Sequence, residues 1–284
     1  MMDASNEQHE RQVAFWNGPG GEMWVGRQDR TEATLAPVAD AAIALAAPRA
    51  GETVIDIGCG AGATTLALAQ AVGPGGHVTG LDVSEPLLEV ARRRDAPANV
   101  DWVLADASRH AFTLASVDLL FSRFGVMFFG DPANAFANLR GALRPGGRLV
   151  FACWRPFDQN PWMGVPLRAV QTLVPALPRP GPEDPGPFSF ADRARVDRIL
   201  THAGFAAPRY TPFDMAMDIA GGQGVAMAVA QALQVGPART LLQDQPEDVV
   251  AAATAAIRTA LLPHVDGGSV RLAGAVWLVD SVPV

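Results

Sequence analysis

The chain has 284 residues, 49% of them hydrophobic and 18% charged, enough to bury a full core as one domain with insertions or one domain with a small cap. A net charge of -7 and the absence of lysine exclude a phosphate-tracking nucleic-acid surface, which needs a basic stripe, and leave no lysine to act as base or nucleophile. Two cysteines, Cys59 and Cys153, are too few for a disulfide framework or a zinc site; no apolar run reaches about eighteen residues, and the polar N-terminus is unlike a signal peptide, so a cytoplasmic protein without a membrane span is expected.

In chain order, the stretch HERQVAFWNGPGGEMWVGRQ is glycine-rich and non-periodic, with Trp16 and Trp24 flanking it, and reads as a mobile flap that closes over a ligand. Arg27 at its end could close bidentately onto a carboxylate. RTEATLAPVADAAIALAA has helical spacing and is expected to pack on a sheet. Strands are then predicted near 53–57, 77–82, 100–104, 117–121 and 147–153, alternating with helices near 63–72, 85–94 and 132–144, the pattern of a parallel sheet covered on both faces. Ser84 before Pro86 and Asp131 before Pro132 read as helix N-caps. Residues 155–190 are dense in proline, including PRPGPEDPGP, and are expected to form a connecting loop over the open edge of the site. A helix near 192–203, a strand near 208–218, a helical region over 222–263 with Val250, Ala253, Ile257 and Leu261 on one stripe, and a last strand over 270–280 complete the chain.

The segment VIDIGCGAGATT carries the clearest chemistry. An apolar run ends in Asp56, and Gly58, Gly60 and Gly62 follow, allowing a tight strand-to-helix turn and removing the Cβ atoms that would hold a nucleoside-like ligand off the main chain. Gly58, Gly60 and Ala63 also satisfy the dinucleotide spacing, so the glycines alone do not choose a ligand. Asp82, at the end of the next apolar run, can accept hydrogen bonds from both hydroxyls of a ribose in either case. Asp56 directly before the turn would repel a pyrophosphate but suits an ammonium and a sulfonium, which favours S-adenosylmethionine (SAM) over NAD.

VIDIGCGAG, GLDVS, LADAS, VDLLFSRFGVMFF and LRPGGRLVFACW together, in this order over about residues 50–155, resemble the class I SAM-dependent methyltransferases. Within that superfamily the chain looks most like bacterial small-molecule methyltransferases of the ubiquinone/menaquinone-biosynthesis type, and its arginine-, alanine- and proline-rich usage points to a high-GC bacterial source. The resemblance implies a Rossmann-like doubly wound α/β sheet, mostly parallel with an antiparallel last strand. It further implies an arrangement of N-terminal helices and flap (1–50), SAM-binding core (51–155), Pro-rich loop, helix and strand (156–221), helical cap or dimer contact (222–268), and final strand (269–284). It places Asp56, Gly58, Cys59, Gly60 and Gly62 around the methionine moiety, Asp82 on the ribose, Val83, Asp106 and Ala107 at the adenine, and Ser122, Arg123 and Phe124 on the floor beneath the sulfonium. Arg123 could bind the methionine carboxylate, bind an acidic acceptor or pair with an acid, and Arg27 is a second candidate for the carboxylate.

Transfer from a sulfonium depends mainly on holding the acceptor in line, and a general base is needed only when the acceptor arrives protonated. His110 and Arg123 are the weak candidates for a role in the chemistry itself. The acceptor pocket is expected above the strand tips, among Phe124, Met127, Phe128, Phe129, Trp154, Trp162 and Met163, with Trp16 and Trp24 joining from the flap and Asn160 or Gln159 orienting the acceptor. A small, apolar or aromatic acceptor follows, O-methylation ahead of N- or C-methylation, with a homodimer possible. The rival readings are a SAM-binding protein without turnover and an NAD(P)-dependent oxidoreductase.

Overall fold

The computed structural model describes residues 4–176, 181 and 184–284, with side chains from residue 9 onward. Three helices lead: α1 (Ala4–Trp16), α2 (Pro19–Val25) and α3 (Gln28–Ala46). Then β1 (Thr53–Ile57), α4 (Ala63–Val72), β2 (His77–Asp82), α5 (Glu85–Arg92), β3 (Val100–Leu104), β4 (Val117–Arg123), α6 (Pro132–Ala142) and β5 (Leu143–Trp154) build a parallel sheet in the order β3-β2-β1-β4-β5. The run from 53 to 154 follows the sequence reading closely, because most of its strands are short apolar runs and glycine or proline marks many of the turns between elements. The chain order turns back at β1, flanked by β2 and β4, and the crevice at the carboxyl ends of those strands is where open α/β sheets take ligands.

Beyond β5 the chain forms α7 (Pro161–Val170), α8 (Arg193–His202), β6 (Arg209–Asp218), α9 (Gly224–Gln234), α10 (Gly236–Leu242), α11 (Glu247–Leu261), the short β7 (Val265–Asp266) and β8 (Ser269–Ser281). β8 lies between β5 and β6 and runs antiparallel to both, as the resemblance implied. The Asp218 carboxylate at the end of β6 gathers the chain where it leaves the sheet and where it returns. Its Oδ1 accepts from Ala220 N and Val270 N, both at 3.0 Å, and its Oδ2 from Gly222 N at 2.8 Å and Ser269 Oγ at 2.9 Å.

The main core fills the sheet faces with Phe121, Phe136, Phe151, Phe190 and Phe205, all fully buried. A second apolar cluster joins α7 to the 222–268 helices through Val170, Val229, Leu241, Ile257 and Leu261, with Trp162 packed against both clusters. In α11 the expected stripe is buried at Ala253, Ile257 and Leu261, while Val250 is half-buried.

Three expectations are corrected. The glycine-rich N-terminal stretch is helical rather than an irregular flap: Gly20 and Gly21 are buried, and a Cβ on Gly21 would stand 2.2 Å from the Trp16 carbonyl oxygen, so the missing side chains permit close packing within α1 and α2. The segment after β5 is no simple loop, because α7 occupies it. Met163, Pro166, Val170 and Val174 are buried at helical spacing, and Pro161 sits in the first turn, where its missing N–H costs nothing. Of the stretch PRPGPEDPGP, residues 178–180, 182 and 183 lie outside the described residues. Asp131 caps α6 by accepting from Asn134 N at 3.1 Å, as expected, but the Ser84 hydroxyl makes no cap: it donates to the Trp16 carbonyl at 2.7 Å. The first turn of α5 is served from outside instead, by Asn17 Oδ1, which accepts from Glu85 N at 3.1 Å.

Candidate functional site

The glycine turn is built in three different ways. All three glycines have positive φ, at 66° for Gly58, 56° for Gly60 and 87° for Gly62. A Cβ on Gly58 would lie 2.7 Å from Gly125 Cα, so this glycine lets the β1 turn touch the turn after β4. A Cβ on Gly62 would lie 2.3 Å from the ring of Trp102 on β3. Only at Gly60 of the three does a Cβ meet nothing within 4 Å, so the open cradle of the turn is at Gly60 and the other two glycines serve packing.

Two carboxylates flank that opening. Asp56 is fully buried; Thr64 Oγ1 and Thr65 Oγ1 both donate to its Oδ2 at 2.7 Å, while Oδ1 is buried without any donor. Burial pushes its carboxyl up to about 6 in spite of the threonine hydroxyls. Asp82 ends β2, where Oδ2 accepts from Gly60 N at 2.7 Å and Oδ1 from Ser84 N at 2.9 Å. It too is pushed upward by burial, and each oxygen keeps a further lone pair for a ligand hydroxyl. Cys59 is buried in the turn, and burial beside two acids holds its thiol well above the ordinary range, so it stays neutral.

In the loop after β3, Asp106 Oδ1 accepts from Ser108 N and Oγ, and Oδ2 stands 2.9 Å from His9 Nε2 on α1. His9 reaches Asp106 because α1 lies across the loops after β2 and β3. Asn17 secures the same docking, donating to the Val83 carbonyl at 2.7 Å. Neither contact has a local sequence signal, since the partners are separated by more than sixty residues. Ala107 is buried, and the His110 ring packs on Phe112 at 4.7 Å, on the loop after β3.

On the floor, Ser122 is committed to structure: its hydroxyl donates to the Ile57 carbonyl at 2.7 Å and accepts from Gly125 N at 3.2 Å. Phe124 adopts φ 67°, uncommon for a residue with a side chain, and its ring stacks on Trp154 at 4.4 Å and 8°. Trp154 continues to Trp162 at 5.1 Å, while Phe128 meets Trp16 edge-on at 5.2 Å and Trp16 meets Trp24 at 6.2 Å. Six of the aromatic residues expected around the acceptor therefore form two groups, while Phe129 packs edge-on against the core residue Phe136 at 5.8 Å. Met127 is not among them: it is fully buried in the core. Nor does Asn160 offer a free polar group. Its Nδ2 donates to the carbonyls of Arg155, Pro156 and Ala275, and its Oδ1 accepts from Ala275 N and Trp162 Nε1, which straps α7 to β8.

Arg123 is half-buried at the tip of β4, with no carboxylate within 4.0 Å among the described residues; burial lowers its pKa, while Asp56 and Glu32 pull in the opposite direction. Arg27 is turned towards α9, where Nη2 donates to Gln231 Oε1 at 2.6 Å, and its guanidinium lies 5.5 Å from the Trp24 ring centre. A cavity of about 1010 Å³ elsewhere, lined by Phe157, Phe188, Arg193, Tyr210 and Trp277 among others, shares no residue with the turn, and arginines already cover its aromatic faces.

The fold and the turn define a class. Residues 55–151 match the methyltransferase domain family, and this core is similar to that of the class I SAM-dependent methyltransferases. The chain is 34% identical over 176 residues to nocamycin O-methyltransferase of Saccharothrix syringae, covering 61% of this chain and 60% of that protein. It is 40% identical over 103 residues to demethylmenaquinone methyltransferase of Staphylococcus aureus, covering 36% and 43% respectively. The match thus spans between about two fifths and three fifths of the length of these relatives. Among solved structures, a protein described as a methyltransferase of an antibiotic biosynthesis pathway in Anabaena variabilis shares the fold at TM-score 0.57 and 16% identity, over 87% of this chain and 97% of that one. A 4+2 cyclase shares it at TM-score 0.51 and 17% identity, over 87% and 81%. The cofactor of the class is SAM, and the residues present fit it: an orphaned buried carboxylate oxygen on Asp56, an open cradle at Gly60 and an acid at Asp82 whose oxygens accept from the backbone of the turn and of the β2 loop.

Proposed function

We propose that the protein transfers a methyl group from SAM to a small, largely apolar or aromatic acceptor, with oxygen the favoured atom. The observation that carries this reading is the unpartnered Oδ1 of Asp56 beside the open Gly60 turn. A buried acid with one oxygen lacking a donor is costly unless a cation answers it, and the ligand that suits this turn carries an ammonium. When bound, SAM supplies a methyl on a sulfonium leaving group. Asp56 then holds the ammonium, Asp82 the ribose hydroxyls, and Val83, Asp106 and Ala107 border the base. The backbone of Gly58, Cys59, Gly60 and Gly62 shapes the turn, Ser122 braces its floor, and Arg123 serves the carboxylate.

The two aromatic groups, Phe124, Trp154 and Trp162 on one side and Trp16, Trp24 and Phe128 on the other, support an acceptor held by ring contact and kept from water. Both named relatives act on small molecules, which supports the same class of acceptor. No helix among the described residues is long and apolar enough to cross a membrane, and we place the reaction in the cytoplasm. The test is transfer of radiolabelled methyl from SAM into a desalted extract separated into small-molecule, protein and nucleic-acid fractions. Label in the small-molecule fraction is expected; label in macromolecules overturns the acceptor class.

A second reading, a SAM-binding protein without turnover, is favoured by one observation. His110, the histidine considered for the chemistry, packs its ring on Phe112 rather than on a ring of either aromatic group. SAM binding without label in any fraction would establish it.

A further inference from the structure

Among the described residues, Arg27 is the arginine with two buried guanidinium nitrogens that lack a hydrogen-bond partner. Nε and Nη1 are out of contact with solvent and have no hydrogen-bond partner, and the single bond made by the guanidinium is that from Nη2 to Gln231. No carboxylate lies within 4.0 Å of it among the described residues, and the charge that acts on it is the like charge of Arg30. Its other neighbour is the face of Trp24. A buried unpaired cation is strongly unfavourable, and a neutral amide and a ring face answer only part of that cost. Whichever Nη2 proton Gln231 takes, one complete two-donor edge of the planar fork remains, the geometry that matches a carboxylate.

The place of Arg27 in the fold says which ligand this serves. Gln231 is on α9, in the helical region between β6 and β8, whereas the residues assigned to the cofactor lie on β1, β2, β4 and the loops that follow them. Trp24 belongs to the aromatic group that includes Trp16 and Phe128. Arg27 therefore joins the acceptor's aromatic wall to the cap. Trp24 rides on the seven-residue helix α2, so the ring over the guanidinium and Arg27 itself come from neighbouring residues at the end of that helix.

Resting on the methyltransferase reading, we propose that Arg27 and Gln231 form an anion seat for the acceptor, which is a small aromatic molecule carrying a carboxylate held as an anchor. The test uses isothermal titration of the complex with S-adenosylhomocysteine, with 2-naphthoate and 2-naphthamide as probes of equal shape. Naphthoate is expected to bind at least about tenfold more tightly than the amide. Arg27→Gln should erase that preference, leave the affinity for S-adenosylhomocysteine within about twofold, and melt no lower than the parent, because it removes an unpaired cation. Equal binding of the two probes, or binding of neither, overturns the seat. A tenfold loss of S-adenosylhomocysteine affinity in the variant also overturns it and assigns Arg27 to the cofactor carboxylate. Failure of the parent protein to bind S-adenosylhomocysteine at all would instead remove the methyltransferase reading on which the proposal rests.

Discussion

Replacing Asp56 by asparagine separates the charge of this residue from its shape. The substituted amide can still accept from Thr64 and Thr65 through its carbonyl oxygen, so the hydroxyl contacts at 2.7 Å survive while the buried charge is removed. Raising the carboxyl from 3.8 to about 6 corresponds to about 3 kcal/mol between the folded and unfolded chains. The folded protein holds the Asp56 proton more tightly than the unfolded chain does. The stability this contributes is fully present below about pH 4 and is lost as pH rises through about 6. At pH 7 the ionised, half-partnered carboxylate is therefore a burden on the ligand-free fold, and Asp56→Asn should be more stable than the parent by up to about 3 kcal/mol.

Cofactor binding should change in the opposite direction. If the ionised carboxylate receives the ammonium, affinity for S-adenosylhomocysteine rises about tenfold per pH step up to about 6 and then levels. Asp82 is pushed upward as well, so the informative quantity is the difference between parent and variant. Calorimetric titration at pH 5, 6, 7 and 8, with urea unfolding at the same pH values, measures both effects. A pH slope in Asp56→Asn equal to that of the parent, or a variant less stable than the parent at pH 7, would refute the argument.

The glycines of the turn should separate by mutation. Gly60→Ala places a methyl in open space at positive φ, and is expected to cost about 1–2 kcal/mol of stability while reducing S-adenosylhomocysteine affinity at least about tenfold. Gly62→Ala forces its methyl into Trp102 and should lower the melting temperature well beyond Gly60→Ala; equal melting of the two variants would contradict the assignment. Asn160→Ala strands the Ala275 N–H and the Trp162 indole N–H, so a loss of about 2–4 kcal/mol and a melting temperature lower by roughly 5–10 °C are expected, with S-adenosylhomocysteine affinity unchanged. A variant as stable as the parent would return Asn160 to the candidates for binding the acceptor.

The parallel half of the sheet was legible because its information is local. A run such as VIDI, closed by glycines and followed by TLALAQAV, states a strand, a turn and a helix within twenty residues. Asp56 and Asp82 were legible for the same reason, as acids at the tips of such runs. The sequence could not show that Gly58 and Gly62 face Gly125 and Trp102, because those partners come from β4 and β3 and the glycine spacing is the same whether a Cβ would meet protein or ligand. α7 was hidden by composition: Pro161 and Pro166 suggest a loop, yet the buried spacing of Met163, Pro166, Val170 and Val174 was present in the same residues. α2 was hidden by its glycines, whose cost in an isolated helix is offset here by contacts between Asn17, Trp16 and the loop after β2. Asn160 looked free because its five partners are backbone atoms and one indole, none of which leaves a pattern in sequence.

The Asp218 carboxylate gives the molecule a collar. By binding Ala220 and Gly222 on the outgoing chain and Ser269 and Val270 on the returning chain, it holds the two ends of the helical insertion side by side where β6 meets β8. An inserted segment whose ends are already neighbours asks nothing of the host sheet when its interior is rewritten. The region between residues 222 and 268 is in this sense a cassette, and a lineage could exchange one set of helices for another without disturbing the parallel strands.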